Sequence, residues 1–187
     1  PTPSSTNDDR EEHYRELEAY FDSFASVADA WRRRNRGYHD LVENVYRFHV
    51  PPGRKVLEIG CGTGDLLAAL EPVDGVGVDL SSEMVGAAGR RYPHLRFVHA
   101  LGEELDLGET FDVVVLSDTV PYVHDLVDLF DRVRAHCRPD TRVIVNSYSR
   151  AWRPLIRAAE AVGAKPRKPI RNWVSAPDAR NLLDITG

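Results

Sequence analysis

The sequence predicts a doubly wound α/β fold built on a parallel sheet. Three observations carry that prediction. Short segments rich in Val, Ile and Leu alternate with helical stretches after residue 51; the first of them runs into a glycine-rich loop; the second ends on an acid. A chain of 187 residues is long enough for one domain with a real core.

Residues 1–9 read PTPSSTNDD, turn formers and acids without an apolar side chain, and predict a disordered lead-in. From Arg10 to Phe48 the pattern is helical. Tyr14, Leu17, Tyr20, Phe21 and Phe24 recur at spacings of three and four, and a second stretch, 28–48, carries Trp31, Tyr38, Leu41, Val45 and Phe48. Pro51-Pro52-Gly53 then stops the helix, dividing the chain into a helical segment, 10–50, and a core, 51–187.

In the core, strands are expected at 55–60, 75–79, 95–99, 111–117 and 141–147. The first, fourth and fifth are the most apolar, as strands covered on both faces should be. Helices are expected at 65–70, 82–92 and 124–137, then from beyond Arg150 to 162, and at 176–185. Right-handed crossovers would place them on both faces of a parallel sheet. The chain stops at Thr186-Gly187, where a helix ordinarily leads into another element. A fragment is therefore expected, or a partner surface covering the last strand edge.

The net charge of −5 gives no electrostatic reason to expect nucleic acid, and the run Arg32, Arg33, Arg34, Arg36 reads as a solvated helix face. Apolar runs such as 113–116 are too short for a membrane span. The N-terminus lacks the features of a signal peptide, so a cytoplasmic location is expected. Cys61 and Cys137 make no disulfide framework, and neither they nor the scattered His and acidic residues have metal-ligand spacing.

The chemistry concentrates in the loop after the first strand, KVLEIGCGTGDLL, and in GVGVDLSSEM after it. Gly60, Gly62 and Gly64 fall beyond the carboxyl end of a parallel strand, where such sheets bind ligands. Asp79 closes the second strand, where a carboxylate can accept both hydroxyls of a ribose. A dinucleotide loop would have a third glycine where Asp65 stands, and a carboxylate there opposes a pyrophosphate. With Glu58 before the glycines, the slot suits a phosphate-free nucleoside carrying positive charge. S-adenosylmethionine, with its sulfonium and ammonium, fits that description.

These residues resemble the class I S-adenosylmethionine-dependent methyltransferases. VLEIGCGTGDLL and GVGVDLSSEM are similar to the first two motifs of that family, and the likeness continues through FDVVVLSDTVPYVHDL to RVIVNSYSRAW. More narrowly, RRRNRGYH, VPPGRKVLEIGCGTGDLL, TRVIVNSYSRAW and NWVSAPDARNLLDITG resemble the methyltransferase domain found fused to bacterial glycosyltransferases. The resemblance implies a Rossmann-like sheet of seven strands with a lid of N-terminal helices. Five strands can be counted, so the last strands are expected to be missing.

By the same resemblance Gly60, Gly62 and Gly64 line the methionine and ribose portions of the cofactor, and Glu58 orders the loop. Asp79 binds the ribose diol, and Leu80 and Met84 flank adenine. The family usually has an acid where Leu101 stands, leaving the Gly102 amide and the Glu103 carboxylate as candidates for the adenine amino group. Ser117 offers a carbonyl to the ammonium, and Tyr20 reaches the cofactor carboxylate from the lid. If the acceptor must lose a proton, Asp118 and His124 are candidate catalytic groups. His39 approaches from the lid and Tyr122 stands beside His124. The implied activity is methyl transfer to a small-molecule acceptor, a sugar or a lipid-linked compound, with S-adenosylhomocysteine as product. A fused glycosyltransferase or a homodimer is the implied partner. Two other readings stay open: an NAD(P)-dependent oxidoreductase, and a non-catalytic methyltransferase-like domain serving a partner.

Overall fold

The computed structural model of the chain describes residues 4–146. Five parallel strands, β1 (Lys55–Ile59), β2 (Asp74–Asp79), β3 (Arg96–His99), β4 (Phe111–Ser117) and β5 (Cys137–Asn146), lie in the order β3-β2-β1-β4-β5. The expected doubly wound sheet is therefore present. The helices foreseen from beyond Arg150 to 162 and at 176–185, and the end of the chain, lie outside the described residues.

Alternation along the strands builds both faces. Leu57, Ile59, Val76, Val78, Val114 and Leu116 bury toward Leu129 and Val133 of α6 (Leu126–Ala135). Val56, Val113 and Val115 point the other way, against Leu67 of α4 (Asp65–Ala69) and Tyr46 of α3 (Arg36–His49). Each side chain so buried contributes about 1.5–3 kcal/mol. Side-chain oxygens fix two helix starts. Ser81 accepts from the Met84 amide at the head of α5 (Ser82–Arg91), and Asp125 accepts from the Val127 and Asp128 amides at the head of α6.

Three expectations need correction. Helix α1 (Ser4–Ala25) begins inside the segment expected to be disordered, as a polar extension of the helix whose Tyr14 and Leu17 are buried against Tyr122. The second helical stretch is two helices, α2 (Ala28–Arg34) and α3, because Asn35 leaves helical geometry and its side chain bonds the Trp31 carbonyl at 2.8 Å. Strand β5 starts at Cys137, four residues before 141. Its register shifts between Phe111 and Val113, and the extra residues accommodate Pro139.

Helix α1 lies across the carboxyl ends of the strands. Its Leu17 and Tyr14 pack on Tyr122, and Asp22 accepts from the Ser81 hydroxyl (2.5 Å) and the Glu83 amide (3.3 Å) at the head of α5. The three N-terminal helices thus roof the end of the sheet where a ligand would enter.

Candidate functional site

Strand order reverses between β1 and β4, and a cleft of about 260 Å3 opens there beneath the N-terminal helices. The glycine loop forms its floor. The amides of Gly60 and Cys61 donate to the Val78 carbonyl at 2.7 and 3.0 Å, tying the loop to the end of β2. The Gly62 amide donates to Asp79 Oδ2 (2.8 Å), and the Ser81 amide donates to Oδ1 (2.9 Å). Both oxygens of Asp79 are thereby oriented, and each keeps a second lone pair for a ligand hydroxyl. Burial pushes this carboxyl above its ordinary range, opposed by those two amides.

Glu58 projects into the same cleft from β1, almost fully buried, and its Oε2 has no hydrogen-bond partner. Burial raises its pKa well above the carboxylate range; the Leu67 amide opposes the shift, and Asp79 and Asp65 add to it. A buried carboxylate lacking a partner is costly in isolation and is relieved by a cationic ligand. That is an observation of fit for the sulfonium and ammonium of S-adenosylmethionine, held by Glu58, Gly60, Gly62 and Asp79.

Asp65 opens α4, accepting from the Tyr92 hydroxyl (2.7 Å) and the Thr63 hydroxyl (2.5 Å), with Arg91 at 3.2 Å and Arg32 at 3.8 Å. Its charge is thus shared with two guanidiniums, so its repulsion of a pyrophosphate is weaker than the bare sequence implies. The loop remains acidic through Glu58 and Asp79.

The cleft brings together Glu58, Gly60, Gly62, Asp79, Leu80, Met84, Ser117 and Asp118. Gly102 and Glu103 line a narrow slot of about 40 Å3 that continues past Asp79 and Leu80, with Leu101 on its wall. Glu103 is buried, and its Oε1 accepts from the Tyr14 hydroxyl and from the His124 and Asp125 amides, both at 3.1 Å, so it fastens α1 to the loop before α6.

Three predicted residues line neither the cleft nor the slot. Gly64 takes φ +75° at the head of α4, where an added Cβ would meet Phe97 at 2.7 Å and Ala88 at 3.2 Å; it serves helix-to-sheet packing. Tyr20 stacks on Phe24 (6.4 Å, 3°) and meets Phe21 edge-on, leaving those two rings to face the cleft. His124 packs toward α1, its ring 6.0 Å from that of His13 and 6.5 Å from that of Tyr14, and does not line the cleft.

Asp118 is where the sequence placed it, in a left-handed conformation with φ 56°. Its Oδ2 accepts from the Tyr38 hydroxyl (2.5 Å), its Oδ1 from Asn146 Nδ2 (3.2 Å), and its amide donates to Asn146 Oδ1 (2.8 Å). Those bonds hold a backbone shape that non-glycine residues avoid, as happens at binding sites. The carbonyl of Ser117 faces Thr119 Oγ1 at 3.2 Å, while that hydroxyl donates more closely to the Ile59 carbonyl at 2.7 Å. Sequence reasoning missed Phe24, Trp31, Tyr38 and Thr119 as cleft residues; the lid aromatics read as ordinary core stripes, and nothing in their spacing distinguished them. Among the described residues no cluster of His, Cys, Asp and Glu could hold a metal ion, and no helix is long and apolar enough to cross a membrane.

A family model described as a methyltransferase domain matches residues 30–187. The chain is 30% identical over 138 residues to the ubiquinone biosynthesis O-methyltransferase of Bradyrhizobium diazoefficiens, covering 71% of this chain and 54% of that protein. It is 30% identical over 131 residues to phosphoethanolamine N-methyltransferase 3 of Arabidopsis thaliana, covering 62% of this chain and 25% of that protein. The chain thus spans about a quarter to a half of the length of these relatives. The magnesium protoporphyrin IX methyltransferase of Synechocystis PCC 6803, solved with bound SAH, has the same fold, with a TM-score of 0.73 at 20% identity over 94% of this chain and 89% of that one.

Proposed function

The chain belongs to the methyltransferase-domain family, and from that premise we propose that it transfers the methyl group of S-adenosylmethionine to a small-molecule acceptor. The observation that carries the reading is Glu58: a buried carboxylate whose Oε2 has no partner, facing the cleft that Asp79 and the glycine loop also line.

When bound, S-adenosylmethionine supplies an activated methyl group on a positively charged sulfur. The residues around it bind and orient. Asp79 takes the ribose diol on the lone pairs left by Gly62 and Ser81. Glu58 offsets positive charge at the methionine end, and Leu80 and Met84 flank the base. Gly102 lines the slot beside Leu80 and Leu101, leaving its amide for the adenine edge. Phe21, Phe24 and Trp31 exclude water from above, as an in-line displacement requires.

The narrower expectation of a sugar or lipid-linked acceptor, with a fused glycosyltransferase or a homodimer as partner, rests on motif likeness alone. Calorimetric titration with S-adenosylmethionine, S-adenosylhomocysteine and NAD tests the reading. The two adenosyl sulfur compounds should bind and NAD should not; binding of NAD alone would favour the oxidoreductase, and binding of none of the three the non-catalytic domain.

A further inference from the structure

We propose that His39 is the base of the transfer, taking its proton through Nε2 from a flat aryl hydroxyl seated against the aromatic wall of the lid. The inference rests on the methyltransferase reading of the same cleft and names the acceptor class for it.

Among the described residues, two buried side-chain polar atoms lack a hydrogen-bond partner, Glu58 Oε2 and His39 Nε2, and both residues line this one cleft. Glu58 stands on β1, on the sheet side; His39 stands on α3, in the roof. A buried polar atom left unpaired costs about 1–3 kcal/mol, so such atoms mark places where a ligand group completes the site. Two of them on opposite walls of one cleft fit two ligands, a cationic donor below and a proton-bearing acceptor above.

The wall around His39 selects for shape. Trp31 meets its ring edge-on at 5.1 Å and 79°, and Tyr38 does so at 5.5 Å and 75°. Phe24 in turn meets Trp31 edge-on at 5.8 Å. With Val42 beside them, these rings suit a flat aromatic guest through edge-to-face and offset contacts.

The charge state suits a base. Burial depresses the pKa of His39, and Arg32 on α2 adds to the effect; Asp65 at the head of α4, Glu43 on α3 and Asp118 after β4 pull the other way. The net direction is downward, toward the neutral ring that can accept a proton. In the step itself the aryl O–H gives its proton to Nε2 while the oxygen bonds the methyl carbon. The carbon–sulfur bond breaks and its electron pair stays on sulfur, neutralising the sulfonium. Positive charge ends on the imidazolium, beside the three carboxylates just named, and solvent takes the proton afterwards. An amine acceptor shed of its proton attacks through a free lone pair and has no use for a base here.

The test uses the chain with S-adenosylmethionine as donor and catechol as acceptor, comparing the parent with His39→Gln and His39→Asn from about pH 5.5 to about pH 9.5. The parent should form S-adenosylhomocysteine at a rate that climbs with pH to a plateau as His39 loses its proton. The variants should bind S-adenosylmethionine within about twofold of the parent yet lose about 10²–10⁴-fold in kcat, without the plateau. Catechol should also shift the His39 ring signals in NMR spectra of the unsubstituted chain, a measurement independent of how the variants fold. Variants that keep both rate and plateau, or catechol that neither reacts nor moves those signals in a chain that binds S-adenosylmethionine, would overturn the proposal. Failure of the parent to bind S-adenosylmethionine would sink the underlying function instead.

Discussion

Asp79 and Glu58 sit in one cleft and make different predictions. Asp79 is already oriented by two amides, so a ribose diol meets acceptors that need no rearrangement. Replacing it with alanine should weaken S-adenosylmethionine at least tenfold in calorimetry, since charged hydrogen bonds are worth about 1.5–3 kcal/mol; unchanged affinity would remove the ribose assignment. Glu58 has a folded pKa raised above its unfolded value, chiefly by burial. Its contribution to stability is therefore present at low pH and lost as pH rises through the folded pKa. A cationic ligand favours the carboxylate, so binding should expel a proton and affinity should increase with pH across that range. Titrations in buffers of different ionisation heat will register the proton, and Glu58→Gln should abolish its release. At this scale the sequence revealed chemical type better than direction. Gly60, Gly62 and Asp79 fell where the loop pattern put them. Gly64 has the same spacing but turns toward Phe97, and His124 follows β4 yet faces α1. Which way a side chain points past a strand end depends on the neighbours it packs against, and those come from distant parts of the chain.

The lid is held by polar contacts that no local pattern announces. Tyr14 and the amides of His124 and Asp125 converge on Glu103 Oε1, His13 Nε2 lies 2.9 Å from the Tyr122 carbonyl, and Asp22 reaches the head of α5. Burial and the neighbouring Glu103 push the Tyr14 hydroxyl pKa upward, keeping it a donor. Glu103→Gln should loosen α1 selectively: hydrogen exchange in residues 4–25 should accelerate while β1 and β4 stay protected, and uniform exchange would mean that the carboxylate does not fasten the lid. The core elements themselves were legible, because alternating Val and Leu runs and the helical spacing of three and four have no other comfortable solution. The break at Asn35 and the early start of β5 were not. One turns on a single side-chain bond to the Trp31 carbonyl, and the other on a register shift around Pro139.

Over the whole molecule, strand order puts the β1/β4 reversal, the glycine loop and the three-helix roof at one end of the sheet. Ligand binding there ties the lid to the core and should raise the unfolding temperature of the whole described unit. At a hundred times Kd the gain is about 2.7 kcal/mol, or roughly 5–10 °C for a chain of this size. S-adenosylmethionine should produce this shift in a thermal melt and NAD should not; a shift with NAD alone would point to a dinucleotide. The most direct measurement is a crystal structure of the chain with S-adenosylhomocysteine. The ribose diol should lie on Asp79, the amino-acid end beside Glu58, and the sulfur should face the roof that carries His39. A ligand bound elsewhere, or with its ribose away from Asp79, would contradict the assignment of this cleft.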